Sequence, residues 1–160
     1  MPDRDEFQLI RLIQKLEIFC DLSREEALYV LRMCQQRSFA ADEVVWHPGD
    51  PGDDMLVLLS GKLHVIDQEG RLIGEVRPGA SFGEMACLSD SPRFVGFQAI
   101  EPSTALSLSR VSLRNLIGSN PHLYVRILET TIKVLAHRVS RTRSAHGSAE
   151  VPEPGALSPW

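Results

Sequence analysis

Three textures follow one another along the chain. At the start, apolar residues recur at helical spacing: Phe7, Ile10, Ile13 and Leu16 stand three apart, and Leu9 and Leu12 widen the stripe. A second helix is expected from Ser23. Ser23-Arg24-Glu25-Glu26 carries a capping box, the serine bonding forward and Glu26 reaching back, and the body from Ala27 to Cys34 is apolar on one side. From Arg37 to about Arg110 the pattern shortens, and apolar runs alternate with Gly, Pro and Asp clusters. Phe39, Val44-Val45-Trp46, Leu56 to Leu59, Leu63 to Ile66, Leu72-Ile73, Phe94 to Ile100 and Thr104 to Ser109 read as strands. Pro48 to Asp54, Ser60-Gly61 and Pro78-Gly79 separate them, and Asp67-Gln68-Glu69-Gly70 reads as a hairpin turn.

After Arg110 the helical period returns. Val111 to Gly118 predicts a short helix ended by its glycine. Pro121 suits the first turn of a longer one, running to about Arg143. Val125, Leu128, Ile132, Leu135 and Val139 alternate spacings of three and four. That stripe suits pairing with a second copy over residues 121–143, and a packed surface helix gives the same pattern. The segment from Ser144 to Trp160 is rich in Ser, Pro, Gly and Ala and is expected to lie outside the fold. The division that results is N-terminal helices over 1–36, a β-roll over 37–110, C-terminal helices over 111–143 and a tail over 144–160. Many short, evenly spaced strands between helices predict a mainly β protein, an antiparallel roll of jelly-roll type.

Composition narrows the function classes. A chain of 160 residues, 43% apolar, suits one domain with its own core. A net charge of −4 gives no electrostatic footprint for nucleic acid. No apolar run approaches the roughly 18–20 residues of a membrane span. Cys20, Cys34 and Cys87 are odd in number, far apart and without redox or metal spacing, and read as reduced core thiols of a cytoplasmic protein. His47, His64, His122, His137 and His146 show no metal-ligand spacing, and no Ser or Cys stands in a nucleophile pattern with His and Asp. No catalytic residue, metal or cofactor is expected.

One segment carries chemistry. In Ser81-Phe82-Gly83-Glu84-Met85-Ala86 a glycine opens a short helix beside a carboxylate, and Pro92-Arg93 follows after a loop. Amide N–H groups at a helix start attract anions, and an arginine fork matches phosphate oxygens with two parallel bonds. A carboxylate accepts from sugar hydroxyls but repels phosphate. Together they suit a ligand with phosphate at one end and hydroxyl at the other.

These residues resemble the phosphate-binding cassette of cyclic-nucleotide-binding domains, as found in catabolite-activator-type regulators, cyclic-nucleotide-dependent kinases and gated channels. Gly49-Asp50-Pro51-Gly52-Asp53 before Leu56 to Gly61 resembles that family's earlier strand-turn signature, and the resemblance covers roughly residues 7 to 141. It implies that Glu84 holds a ribose 2′-hydroxyl, that Arg93 pairs the cyclic phosphate, and that amides around Gly83, Met85 and Ala86 and just after Arg93 complete the cradle. Phe82, Phe94 and Val95 complete the expected ligand-binding set. The family places small residues after the arginine, and Phe94 and Val95 are larger. Members that favour cyclic GMP use a Thr or Ser there to contact guanine. Phe94 has no hydroxyl, which implies a slight preference for cyclic AMP.

Plainer readings stand beside these. Ser81-x-x-Glu84 is also a capping-box pattern. Arg93 also suits a surface pair with Asp90 or Asp50. Lys133, His137, Arg138, Arg141 and Arg143 crowd one helix end, where cations are favoured. The leading expectation is a stand-alone sensor that binds a cyclic nucleotide and signals through its C-terminal helix to an unnamed effector protein or its own dimer. Nothing in Ser144 to Trp160 reads as a DNA-binding element, and none is expected. The alternative is a degenerate module of the same fold that binds no cyclic mononucleotide and serves interaction or oligomerisation.

Overall fold

The computed structural model describes residues 13–145. Phe7, Leu9, Ile10 and Leu12 of the first stripe, and the tail beyond Ala145, lie outside the described residues. Ile13 and Leu16 are buried, and Leu16 and Phe19 donate backbone bonds back to Ile13 and Leu16 in successive tight turns, each at 2.9 Å. Helix α1 (Arg24–Met33) starts as its sequence requires. Ser23 Oγ accepts from Glu26 N–H at 3.3 Å, and Glu26 Oε2 accepts from Ser23 N–H at 2.8 Å.

Among the described residues eight strands follow: β1 (Gln35–Phe39), β2 (Val44–Trp46), β3 (Asp54–Ser60), β4 (Leu63–Ile66), β5 (Leu72–Val76), β6 (Ser81–Phe82), β7 (Gly96–Ala99) and β8 (Ser103–Ser109). They form two four-stranded antiparallel sheets, ordered β1-β8-β3-β6 and β2-β7-β4-β5. Helix α2 (Glu84–Ser89) interrupts the strands after β6, and α3 (Arg110–Ser119) and α4 (Pro121–Ala145) close the described chain. The fold is the expected mainly β roll with flanking helices. Among the described residues no helix is long and apolar enough to cross a membrane.

Strand β3 shows why the chain makes two cores. Side chains alternate faces along a strand. Leu56 and Leu58 point into the roll, joining Trp46, Phe82 and Phe97, whereas Met55 and Val57 pack outward against the helices. Phe19 and Val30, with Leu113 of α3 and Ile127 of α4, cover that outer face. By the same alternation Asp54, two residues before Leu56, faces inward. An ionised side chain there must find a cation.

Several expectations change. Helix α3 does not end at Gly118: it runs on to Ser119, and Asn120 caps it through its N–H to Leu116 O at 2.8 Å. Asn120 then serves the next helix, its Oδ1 accepting from Leu123 N–H at 3.2 Å, so one polar residue makes the corner. Helix α4 reaches Ala145 rather than Arg143. Strand β7 starts at Gly96 rather than Phe94, and residues 91–95 form the loop before it. Cys20 is exposed rather than in the core, while Cys87 is buried; all three thiols are free. The stripe of α4 does not face the roll: Val125, Ile132 and Val139 are exposed, and the buried face is made by Leu123, Ile127, Thr130, Thr131 and Val134. The i−4 hydroxyl bonds of Thr130 and Thr131, to Arg126 O at 3.0 Å and Ile127 O at 2.8 Å, let those two polar residues occupy it.

Candidate functional site

The cassette is built by Gly83. Its φ of 79° is left-handed, and a β-carbon there would lie 2.6 Å from Arg93 Nη1 and 2.9 Å from the Trp46 ring. Only glycine allows the chain to turn this tightly from β6 into α2 beneath both side chains. Gly83 is the N-cap and no side chain caps it, so the capping-box reading of Ser81 and Glu84 does not hold: Ser81 lies in β6, and its Oγ accepts from Arg138 instead. Cys87 N–H, bonding to Gly83 O at 3.2 Å, is the first helical donor of α2, so the amides of Glu84, Met85 and Ala86 have no acceptor within the helix.

The earlier Gly-Asp-Pro-Gly-Asp turn braces this cassette. Arg93 N–H donates to Asp50 O, and Gly49 N–H to Arg93 O, both at 2.8 Å. A β-carbon on Gly52 would meet Ala86 Cβ and Ser91 O at 2.5 Å. Arg110 ties the turn to the far end of α2, with Nη2 donating to Gly52 O at 2.6 Å and Nη1 paired with Asp90.

Arg93 is 4% exposed, so it is not a surface arginine, and neither Asp90 nor Asp50 is its ionic partner. Its guanidinium pairs with Asp54 Oδ1 and donates to Asp54 O at 2.7 Å and Gly83 O at 3.1 Å, stacked 3.7 Å from the centroid of the Trp46 ring. Three of its five N–H groups are thus engaged. Nε is buried without a partner. Nε–H and the second Nη2–H lie along one edge of the guanidinium. Asp54 is held in turn by Ser107 Oγ at 2.7 Å and Arg37 Nη1 at 3.3 Å. The sequence pattern places Asp54 in a turn, whereas it opens β3. The signal that marks it is its place on the inward face of β3.

Glu84 is 2% exposed. Its Oε1 accepts from Arg138 Nη1 of α4 at 2.5 Å, and its Oε2 is buried with no partner. Arg138 belongs to the basic run expected to serve the helix end, yet it reaches across to the cassette. Its Nη2 also donates to Glu17 Oε2 at 2.8 Å and Ser81 O at 2.7 Å.

Phe82, Gly83, Glu84, Met85, Ala86, Arg93, Phe94 and Val95 all line one cavity of about 900 Å³, in the size range of small-molecule sites. Trp46, Val65, Val76 and Phe97 supply apolar wall from the second sheet, and His137, Arg138 and Arg141 of α4 stand over it. Met85 and Phe94 are half exposed.

Comparison with known proteins agrees with this arrangement. Residues 36–120 match the cyclic nucleotide-binding domain family, and the chain belongs to that family. It is 30% identical over 105 residues to the cAMP-dependent protein kinase regulatory subunit of Yarrowia lipolytica, covering 66% of this chain and 28% of that one. It is 26% identical over 137 residues to a CRP-like cAMP-activated global transcriptional regulator of Mycobacterium tuberculosis, covering 83% of this chain and 59% of the regulator. The crystal structure of a cyclic nucleotide-binding domain from Methylobacillus flagellatus superposes with a TM-score of 0.78 at 27% identity, covering 92% of this chain and 87% of that one.

Proposed function

We propose that the domain binds a cyclic mononucleotide in this cavity and acts as a sensor rather than a catalyst. The observation that carries the reading is a matched pair of buried, unpartnered atoms on residues lining one cavity: an acceptor, Glu84 Oε2, and a donor, Arg93 Nε. Leaving either unsatisfied costs about 1–3 kcal/mol, more for charged groups. A ligand that brings a hydroxyl to the first and an anionic oxygen to the second removes both penalties, and a ribose cyclic phosphate carries both groups. Amides of residues 84–86 and the side-on edge of Arg93 complete the proposed phosphate contacts, and Phe82, Phe94 and Val95 border the ligand. Cyclic AMP is the favoured base form, because Phe94 offers guanine no hydroxyl. Calorimetric titration with cyclic AMP and cyclic GMP tests this. Micromolar or tighter binding of cyclic AMP supports the reading, and tenfold tighter cyclic GMP overturns the base preference.

The stripe of α4 is the proposed output surface. Val125, Ile132 and Val139 are 50%, 65% and 57% exposed along one side of the helix. A row of this kind is commonly an interaction face. We read it as pairing with a second copy or docking an effector protein. A second reading of the module, interaction without a nucleotide, draws on one observation: Asp54 and Gly83 already occupy the end-on fork of Arg93. The same titration decides between them.

A further inference from the structure

We infer that Trp46 is a positioning residue for the phosphate contact: its ring fixes the plane of the Arg93 guanidinium, and its Nε1–H ties down the loop that follows Arg93. The inference rests on the cavity being the cyclic-nucleotide site. A guanidinium offers its N–H groups only in its own plane, so it aims at phosphate oxygens only when that plane is fixed. The contacts within the plane come from β3 and the cassette: Asp54 pairs with Nη2, while Asp54 O and Gly83 O accept from Nη1 at 2.7 and 3.1 Å. Bonds along one end of a plate leave it free to tilt about that end. Trp46 removes this freedom from the other sheet. It ends β2, and its ring lies face-on to the guanidinium, 3.7 Å from Arg93 Cζ to the centroid. The β-carbon that Gly83 lacks would meet both partners, so the glycine is what lets the stack lie against the cassette turn.

The ring is itself held. Trp46 is buried, tilted against Phe82 at 5.4 Å and edge-on to Phe97 at 5.2 Å. Its Nε1–H donates to Val95 O at 3.2 Å, two residues beyond Arg93. One side chain therefore sets both the head of Arg93 and the backbone just after it. An aromatic face suits this task better than a second carboxylate would. Its quadrupole attracts the guanidinium, yet it carries no net charge to repel an incoming anion. Leucine would fill the same space in the roll without fixing the plane, and phenylalanine would keep a face but lose the bond to Val95.

The test is calorimetry on the full chain, using wild type, Trp46→Leu and Trp46→Phe. The ligands are cyclic AMP, 2′-deoxy cyclic AMP and the two phosphorothioate diastereomers of cyclic AMP, in which sulfur replaces one or the other exocyclic phosphate oxygen. A fork held in one plane tells the two positions apart, so wild type should favour one diastereomer by about tenfold, the worth of one charge-assisted bond. In Trp46→Leu cyclic AMP should weaken by about tenfold and the diastereomer preference should fall below about threefold. The ratio of ribose to deoxyribose binding should stay within about twofold of wild type, because Glu84 lies at the other end of the ligand. Trp46→Phe should weaken cyclic AMP by about threefold and keep the diastereomer preference, and it decides the matter if the leucine variant does not fold. An unaltered diastereomer preference in Trp46→Leu makes Trp46 a core filler and overturns the inference. So does unchanged cyclic AMP affinity in either variant, or an equal collapse of the ribose and diastereomer preferences. If wild type binds none of the ligands, the reading of the cavity fails first. If wild type binds them and takes both diastereomers equally, the plane of Arg93 does not govern the contact and the inference fails alone.

Discussion

Replacing Arg93 with alanine separates binding from folding, because Asp54 has partners besides Arg93. In the wild type, Nε–H and one Nη2–H remain for a phosphate, after three N–H groups are given to Asp54 and Gly83. Two charge-assisted bonds at about 1.5–3 kcal/mol each sum to about 3–6 kcal/mol. That is a loss of roughly two to four powers of ten in affinity. Deleting one member of a buried ion pair ordinarily costs about 3–5 kcal/mol, because the other is orphaned. Here Asp54 keeps Ser107 at 2.7 Å and Arg37 at 3.3 Å, and the stability loss should be nearer about 1–3 kcal/mol, to which the lost stacking on Trp46 contributes. For a domain of this size that is a fall in Tm of about 3–12 °C. Calorimetry with cyclic AMP gives the affinity, and thermal unfolding gives the control. A folded Arg93→Ala protein with an unchanged dissociation constant would refute the assignment of Arg93 to the phosphate.

Gly52→Val forces a side chain into Ala86 Cβ and Ser91 O; it should lower stability by about 1–3 kcal/mol and weaken nucleotide binding together, read by thermal unfolding and calorimetry. Burial pushes the Cys87 thiol up to about 11 and Cys34 to about 12, so at pH 8 a thiol reagent should label exposed Cys20 first and both Cys34 and Cys87 far more slowly, as followed by mass spectrometry. Because these folded pKa values lie above the ordinary thiol value near 8.5, their contribution to stability is whole below that pH and is lost as pH rises toward 11–12. Ile132→Asp, on the exposed stripe of α4, should abolish any dimer seen by light scattering without lowering the Tm of the monomer, whereas Ile127→Asp, fully buried, should unfold the domain.

Strand periodicity, turn chemistry and the Ser23 capping box are local signals, and the elements they predict are present. The short strand Ser81–Phe82 was not legible, since two residues carry no period. Gly118 misled because its backbone stays helical, and the chain turns one residue past Ser119, at Asn120. The cassette residues were legible as a motif and line one cavity. What the motif could not contain was its support. Asp54 meets Arg93 from 39 residues away, and Arg138 meets Glu84 from 54 residues away. Pairings that depend on the packing of β3 and α4 leave no spacing to read. Asp54 alone had a faint mark, a carboxylate in phase with the inward-facing Leu56 and Leu58.

The central claim is that the cavity closed by Glu84 and Arg93 takes a ribose cyclic phosphate. Its most direct test is hydrogen exchange of the full chain with and without saturating cyclic AMP. The account predicts slower exchange in residues 82–95 and, through Arg138, in the second half of α4. Unchanged exchange in the cassette at millimolar cyclic AMP would contradict it.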